Sequence, residues 1–214
     1  MHAAIEHPRY TLAEELAHSI THGVGGLLSL VALGALLSVA EGALAITACG
    51  VFGATLVLTY AASTLYHAVP QRFARAKAIL RKLDHCCIFL LIAGTYTPVL
   101  LLTDTSNRGF GLLVTVWALA ASGVVLELMQ RSARRLISIL LYLGMGWLVV
   151  AAGRPLLASM TDDSLTWLMV GGATYSIGVV FYVWRRLPYG HAIWHGFVLA
   201  GSASHFFCVM TLLH

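Results

Sequence analysis

His191 and His195 stand four apart in the stretch "HAIWH", and His67 closes another stretch, "STLYH", four residues after Ser63. Side chains at i and i+4 share one face of an α-helix, so the first two imidazoles can reach one point from one helix. Two His at that spacing can offer a metal ion two nitrogen ligands. A third imidazole from another helix, His67, completes a set of three. Three neutral nitrogens with one position open is the arrangement of catalytic zinc, where water takes the fourth place. Imidazole suits several metals, so spacing alone does not separate zinc from iron or manganese. Asp84 would hold and deprotonate that water, or orient a ligand imidazole. Ser63, one turn from His67, would hydrogen-bond the water or a substrate carbonyl. Each feature also has a plainer explanation. An HxxxH pair can serve interhelical hydrogen bonds, a Ser four residues before a His can bond its own helix backbone, and an Asp at a helix start can act as a cap.

The decision rests on the elements that carry these residues. The chain has 214 residues, 59% hydrophobic and 10% charged, where a soluble domain carries about 25% charged residues. That deficit defines an all-α integral membrane protein. Crossing ~30 Å of hydrocarbon takes roughly 20 residues. Seven runs of that kind can be drawn, at about 18–40, 43–67, 84–103, 109–130, 136–158, 165–184 and 191–213. Their short connections leave one seven-helix membrane domain over residues 1–214. The longest connection, 68–83, is basic and amphipathic and is expected to lie along the membrane surface. The four Cys fall in apolar runs without a CxxC pair and read as small buried hydrophobes. The first residues show no apolar core behind a basic start, so no cleaved signal peptide is expected.

Of thirteen Lys and Arg, eleven lie before the first run or between runs two and three, four and five, or six and seven. Only Arg108 and Arg154 fall on the other side, with Glu41, Asp104, Asp162 and Asp163. The positive-inside rule puts the N-terminus in the cytoplasm and the C-terminus outside. It assigns the basic charge to topology and anionic lipid head groups, and no nucleic acid is expected as a partner. With this topology Ser63, His67, Asp84, His191 and His195 all fall at the cytoplasmic ends of runs two, three and seven. Five polar groups at one depth on three helices favour a metal site over five separate accidents.

The remaining His are read differently. His18 and His22 form another i, i+4 pair after Glu14 and Glu15, a rival metal pair for which capping and packing is the simpler account. His85 projects about 100° away from Asp84 around its helix. His205, ten residues past His195, is too deep to share its ligand shell and reads as a buried, hydrogen-bonded imidazole that could line a cavity. His2, His7 and His214 are terminal. Pro98 and Pro155 fall inside runs and predict kinks.

The stretches "STLYH", "LDHCCIFLLIAGTYTP" and "HAIWH…SHF", in that order in a seven-run chain, resemble the bacterial hemolysin III proteins. These group with the progestin and adiponectin receptors and, more distantly, the alkaline ceramidases. The resemblance runs from "EELAHSITHGVGG" through the last run. It implies seven helices in the bacterial inner membrane, a cytoplasmic N-terminus, and zinc held by His67, His191 and His195. It matches Asp84 and Ser63 to the family's Asp and Ser, and Glu15 to a recurring acidic residue. At position 18 the family pattern expects Asn, and this chain has His18.

Three functions follow as expectations. The first is a zinc-dependent hydrolase that cleaves an amide or ester bond of a membrane lipid from the inner leaflet. The second is a membrane-lipid sensor or regulator with a structural zinc. The third, suggested by the family's name, is a cytolytic protein, for which the sequence offers no charged stripe threading a run. The particular lipid and the oligomeric state are not written in the sequence.

Overall fold

Helix α1 (Leu12–Val39) is amphipathic in the inverted sense. Glu15, His18, His22, Gly25 and Ser29 recur three or four residues apart and are buried. Leu16, Ile20, Val24, Leu28 and Val31 point outward and lie open. A helix in water would bury the second set and expose the first. Outward leucines with inward histidines are favourable only in hydrocarbon, where each helix satisfies its own backbone and polar side chains seek the interior.

The computed structural model describes residues 10–103, 106–129, 135–151, 154–184 and 186–214. Every regular element among the described residues is helical: α1, α2 (Gly42–Ala68), a short 3₁₀ turn (Gln71–Phe73), α3 (Ala74–Thr103), α4 (Asn107–Met129), α5 (Arg135–Gly146), α6 (Leu148–Ala151), α7 (Arg154–Ala158), α8 (Asp162–Val183) and α9 (Gly190–Thr211). Among the described residues six segments, built on α1, α2, α3, α4, α8 and α9, are long and apolar enough to cross a membrane, the shortest of them 22 residues. At ~1.5 Å per residue even that one reaches about 33 Å.

Helix α1 starts ahead of the first run, at Leu12, because Thr11 and Glu14 form a capping box: the Thr11 hydroxyl accepts from the Glu14 amide at 3.2 Å, and the Glu14 carboxylate takes the Thr11 amide at 2.9 Å. One expectation needs correction. Connection 68–83 is not a separate surface element. After Pro70 and the 3₁₀ turn the chain enters α3 at Ala74, and Lys77 turns inward and is buried.

The fifth run, 136–158, is the one that does not form a continuous helix. Its break falls at Trp147, ahead of Pro155, and a side chain from α3 causes it. The Tyr96 hydroxyl donates to the Met145 carbonyl at 2.8 Å and accepts from the Val149 amide at 2.7 Å. Those are the two groups that one another would satisfy in an unbroken helix, so the phenol has been inserted into the ladder. α3, by contrast, runs through Pro98 without interruption.

α1 packs on α2 and α9, α2 on α3, α3 on α4 and α5, α5 on α8, and α8 on α9, so the helices close into a ring. The α1–α2–α9 contact is intimate because Gly25 has no side chain. A Cβ there would meet the Tyr60 ring at 2.6 Å and Leu199 at 2.8 Å. That close approach carries the histidines of α1 up to those of α2 and α9.

Candidate metal centre

α2 ends in Tyr66, His67 and Ala68, and its last turn points His67 into the junction with α1 and α9. His67 is buried, and its Nδ1 lies 2.8 Å from Glu15 Oε2. A carboxylate can only accept, so Nδ1 carries the hydrogen and Nε2 keeps its lone pair. That Nε2 is buried without a protein partner. Glu15 is held in turn by Lys77, whose ammonium lies 2.8 Å from Oε1. The ammonium also donates to the carbonyls of Tyr66 at 3.1 Å and Val69 at 3.0 Å. Three donors thus meet three acceptors, and a buried Lys–Glu–His chain fixes the direction in which His67 presents its free nitrogen.

α9 supplies the other two imidazoles from its first two turns. His191 Nε2 and His195 Nε2 lie 3.1 Å apart. Two nitrogens at 2.0–2.1 Å from one tetrahedral ion would stand about 3.3–3.4 Å apart. Ligand atoms of His67, His191 and His195 all lie within 4.8 Å of one another. The donor set therefore fits a divalent ion, with one nitrogen of His67 oriented and otherwise unpaired. A second group, Glu15, His18 and His67, meets the same distance limit.

Asp84 and Ser63 do not enter this cluster directly. Both line a cavity of about 140 Å³ that also exposes His22, His191 and His195 on its wall. The Ser63 hydroxyl is buried and has no partner, while Asp84 Oδ2 lies 3.4 Å from His85 Nδ1. The carboxylate bonded to the His67 ring is that of Glu15, not Asp84. His85 was expected to face away, yet it lines the same cavity, because its Nδ1 bonds the Arg81 carbonyl at 2.8 Å and its Nε2 approaches the Tyr182 hydroxyl at 3.4 Å. His205 lines that cavity too, with Gly171 opposite its ring.

For His18 and His22 the capping half of the expectation is overturned, because Thr11 caps the helix, while the packing half agrees with their ring contacts. Both are buried, and all four of their ring nitrogens lack protein partners. His22 stacks on His195 with ring centres 3.5 Å apart, and His18 touches His67 at 4.5 Å. Tyr10, just before the cap, stacks on His191 at 5.4 Å and covers the group. The i, i+4 spacing was a signal for His18 and His22. Nothing comparable marked Tyr10 or Lys77.

Outward apolar helices around a buried, histidine-lined interior define a multi-pass membrane protein. The sequence matches the Haemolysin-III related family over residues 10–206, and the chain belongs to that family. It is 45% identical over 204 residues to the Hemolysin-3 homolog of Bacillus subtilis (strain 168), covering 94% of this chain and 95% of that one. It is 43% identical over 202 residues to Hemolysin-3 of Bacillus cereus, covering 92% and 90% respectively. More distant similarity, 28% over 173 residues, reaches the human Monocyte to macrophage differentiation factor, covering 77% of this chain and 69% of the relative. With these bacterial relatives, it is a multi-pass bacterial membrane protein.

Proposed function

We propose that the protein is a zinc-dependent hydrolase of membrane lipids, with His67, His191 and His195 as ligands and an amide or ester bond as the target. The observation that carries this reading is the junction of the imidazole cluster with a largely apolar cavity into which Asp84 and Ser63 also open. A purely structural ion has no need of a carboxylate and a free hydroxyl beside a space fit for an acyl chain. Zinc held there supplies Lewis acidity, bringing the ionisation of water near neutral pH and polarising a carbonyl.

The chain's own groups do the rest. Asp84, beside the His85 ring at 3.4 Å, takes the proton of the attacking water on its carboxylate and returns it to the nitrogen or oxygen that leaves as the amide or ester bond breaks. Ser63 donates its hydroxyl hydrogen to the carbonyl oxygen as charge develops there. Cavity walls formed by Ile88, Ile92, Val99 and Leu168 receive the hydrocarbon part of the substrate and exclude water. The N-terminus is cytoplasmic in this reading, and α5, α6 and α7 together make an interrupted seventh crossing. Lipid then enters from the inner leaflet between helices, and membrane lipids are the protein's partners.

The test is purification in detergent, elemental analysis, and incubation with ceramide-like amides, phospholipids and other acyl esters. Stoichiometric zinc with fatty acid release that vanishes in Asp84→Asn supports the proposal. Stoichiometric zinc with no acyl release from any amide or ester lipid rejects it in favour of a structural ion.

A further inference from the structure

His18 is fully buried, and neither ring nitrogen has a protein partner. Its ring centre lies 4.5 Å from that of His67, 4.8 Å from His191 and 5.3 Å from His195. The three rings of the proposed ligand set stand 5.2, 5.2 and 4.5 Å from one another. All six separations therefore lie between 4.5 and 5.3 Å. Four nearly equal neighbours in three dimensions are the corners of a tetrahedron.

The spacing is also the right one. A nitrogen 2.0–2.1 Å from an ion places its ring centre about 3.2 Å away, so four imidazoles around one tetrahedral ion stand about 5.2 Å apart. His22, the other unpartnered imidazole of α1, does not meet the condition. It lies face to face on His195, 3.5 Å away at an interplanar angle of 14°. Rings stacked in this way cannot both aim an in-plane lone pair at one ion.

We infer that His18 is a fourth protein ligand of the ion held by His67, His191 and His195. The inference rests on the reading of those three as ligands and adds a residue to them. In the structure the ligand atoms of His18 group with those of Glu15 and His67, so the fourth bond forms by a swing of the ring about its side-chain torsions. With His18 in place the set is closed, as in structural zinc sites. With its ring turned away the set is open, as in catalytic ones. Position 18 thus decides which kind of site the protein presents.

The experiment is zinc-edge X-ray absorption on the full-length protein in detergent, loaded with one equivalent of zinc, beside His18→Asn, His18→Cys and His191→Ala. The expected result is four imidazoles in the wild type and three in His18→Asn. In His18→Cys a metal–sulfur distance of about 2.3 Å replaces one imidazole, a signal that only a ligand position can give. Three imidazoles with oxygen in the wild type overturn the inference, whether or not the variants fold. So does a His18→Cys protein that keeps zinc without sulfur. Zinc that His191→Ala fails to release overturns the three-ligand reading beneath it, which separates the two failures.

Discussion

Two buried junctions in this protein treat polar groups in opposite ways. Where α3 meets α5 and α6, the Tyr96 hydroxyl joins the Met145 carbonyl to the Val149 amide, and nearby the Trp117 indole donates to the Thr97 hydroxyl. The Met145 and Gly146 carbonyls and the Val149 amide, opened by the break, are answered by that one hydroxyl. Where α1, α2 and α9 meet, Glu15 and Lys77 are answered, but the imidazoles they support are not. Seven of the nine buried side-chain atoms without a partner among the described residues belong to His18, His22, Ser63, His67 and His195. Each unpaired buried group costs about 1–3 kcal/mol. Concentrating them at this junction and the cavity beside it is what a site for a ligand requires, and the Tyr96 junction shows that this chain can pair buried groups where no ligand is wanted.

The largest effects should come from removing nitrogen at the first junction. His67→Ala or His191→Ala should abolish stoichiometric zinc, measured by elemental analysis after gel filtration, and activity should go with it. Zinc retained by either variant would mean that the unpaired nitrogens serve something else. Asp84→Asn should leave the zinc content unchanged while lowering lipid turnover about 10²–10⁴-fold, the usual range for a lost proton acceptor. Loss of zinc in Asp84→Asn would instead move that carboxylate from the cavity wall into the ligand set.

Glu15→Gln should act more mildly. The amide keeps the shape but weakens the hold on His67 Nδ1–H, and losing such a support costs about 10–100-fold in metal affinity. Competition with a chelator of known affinity reads this directly. An unchanged affinity would show that α2 alone fixes the His67 ring, and that the Lys77–Glu15–His67 chain is packing.

How much of this could be read from the residues alone divides along the same line. His67, His191 and His195 were legible because helical periodicity and the distribution of Lys and Arg placed them at one depth, and both are local or global properties of the string. The long helices were legible for the same reason. Glu15 was marked only by the family resemblance and Lys77 not at all, because their pairing joins residues 62 positions apart through an inward turn of a basic segment whose composition suggests a lipid surface. Of the capping and packing expected for His18 and His22, capping fails because Thr11, an ordinary polar residue, already holds that place. The fifth run was expected to be continuous with a kink at Pro155, and the break at Trp147 was not expected. Its cause is a hydroxyl on α3, which no periodicity in residues 136–158 can announce.

Tyr96→Phe tests whether the two junctions are as independent as their opposite character suggests. Removing the hydroxyl leaves the Val149 amide and the Met145 carbonyl without their partner, and both are buried in the helix interface. If the break persists, the cost is about 1–3 kcal/mol, visible as a lower thermal midpoint in detergent. If the two groups find each other, α5 and α6 fuse into one helix and the cost shrinks towards zero. Zinc content and chelator competition should stay at wild-type values either way, because Tyr96 touches none of the imidazoles at the α1–α2–α9 junction. A Tyr96→Phe protein that folds but binds zinc more weakly would show that the broken helix props the cavity open for the metal centre, and the contrast between a paired, passive junction and an unpaired, working one would have to be withdrawn.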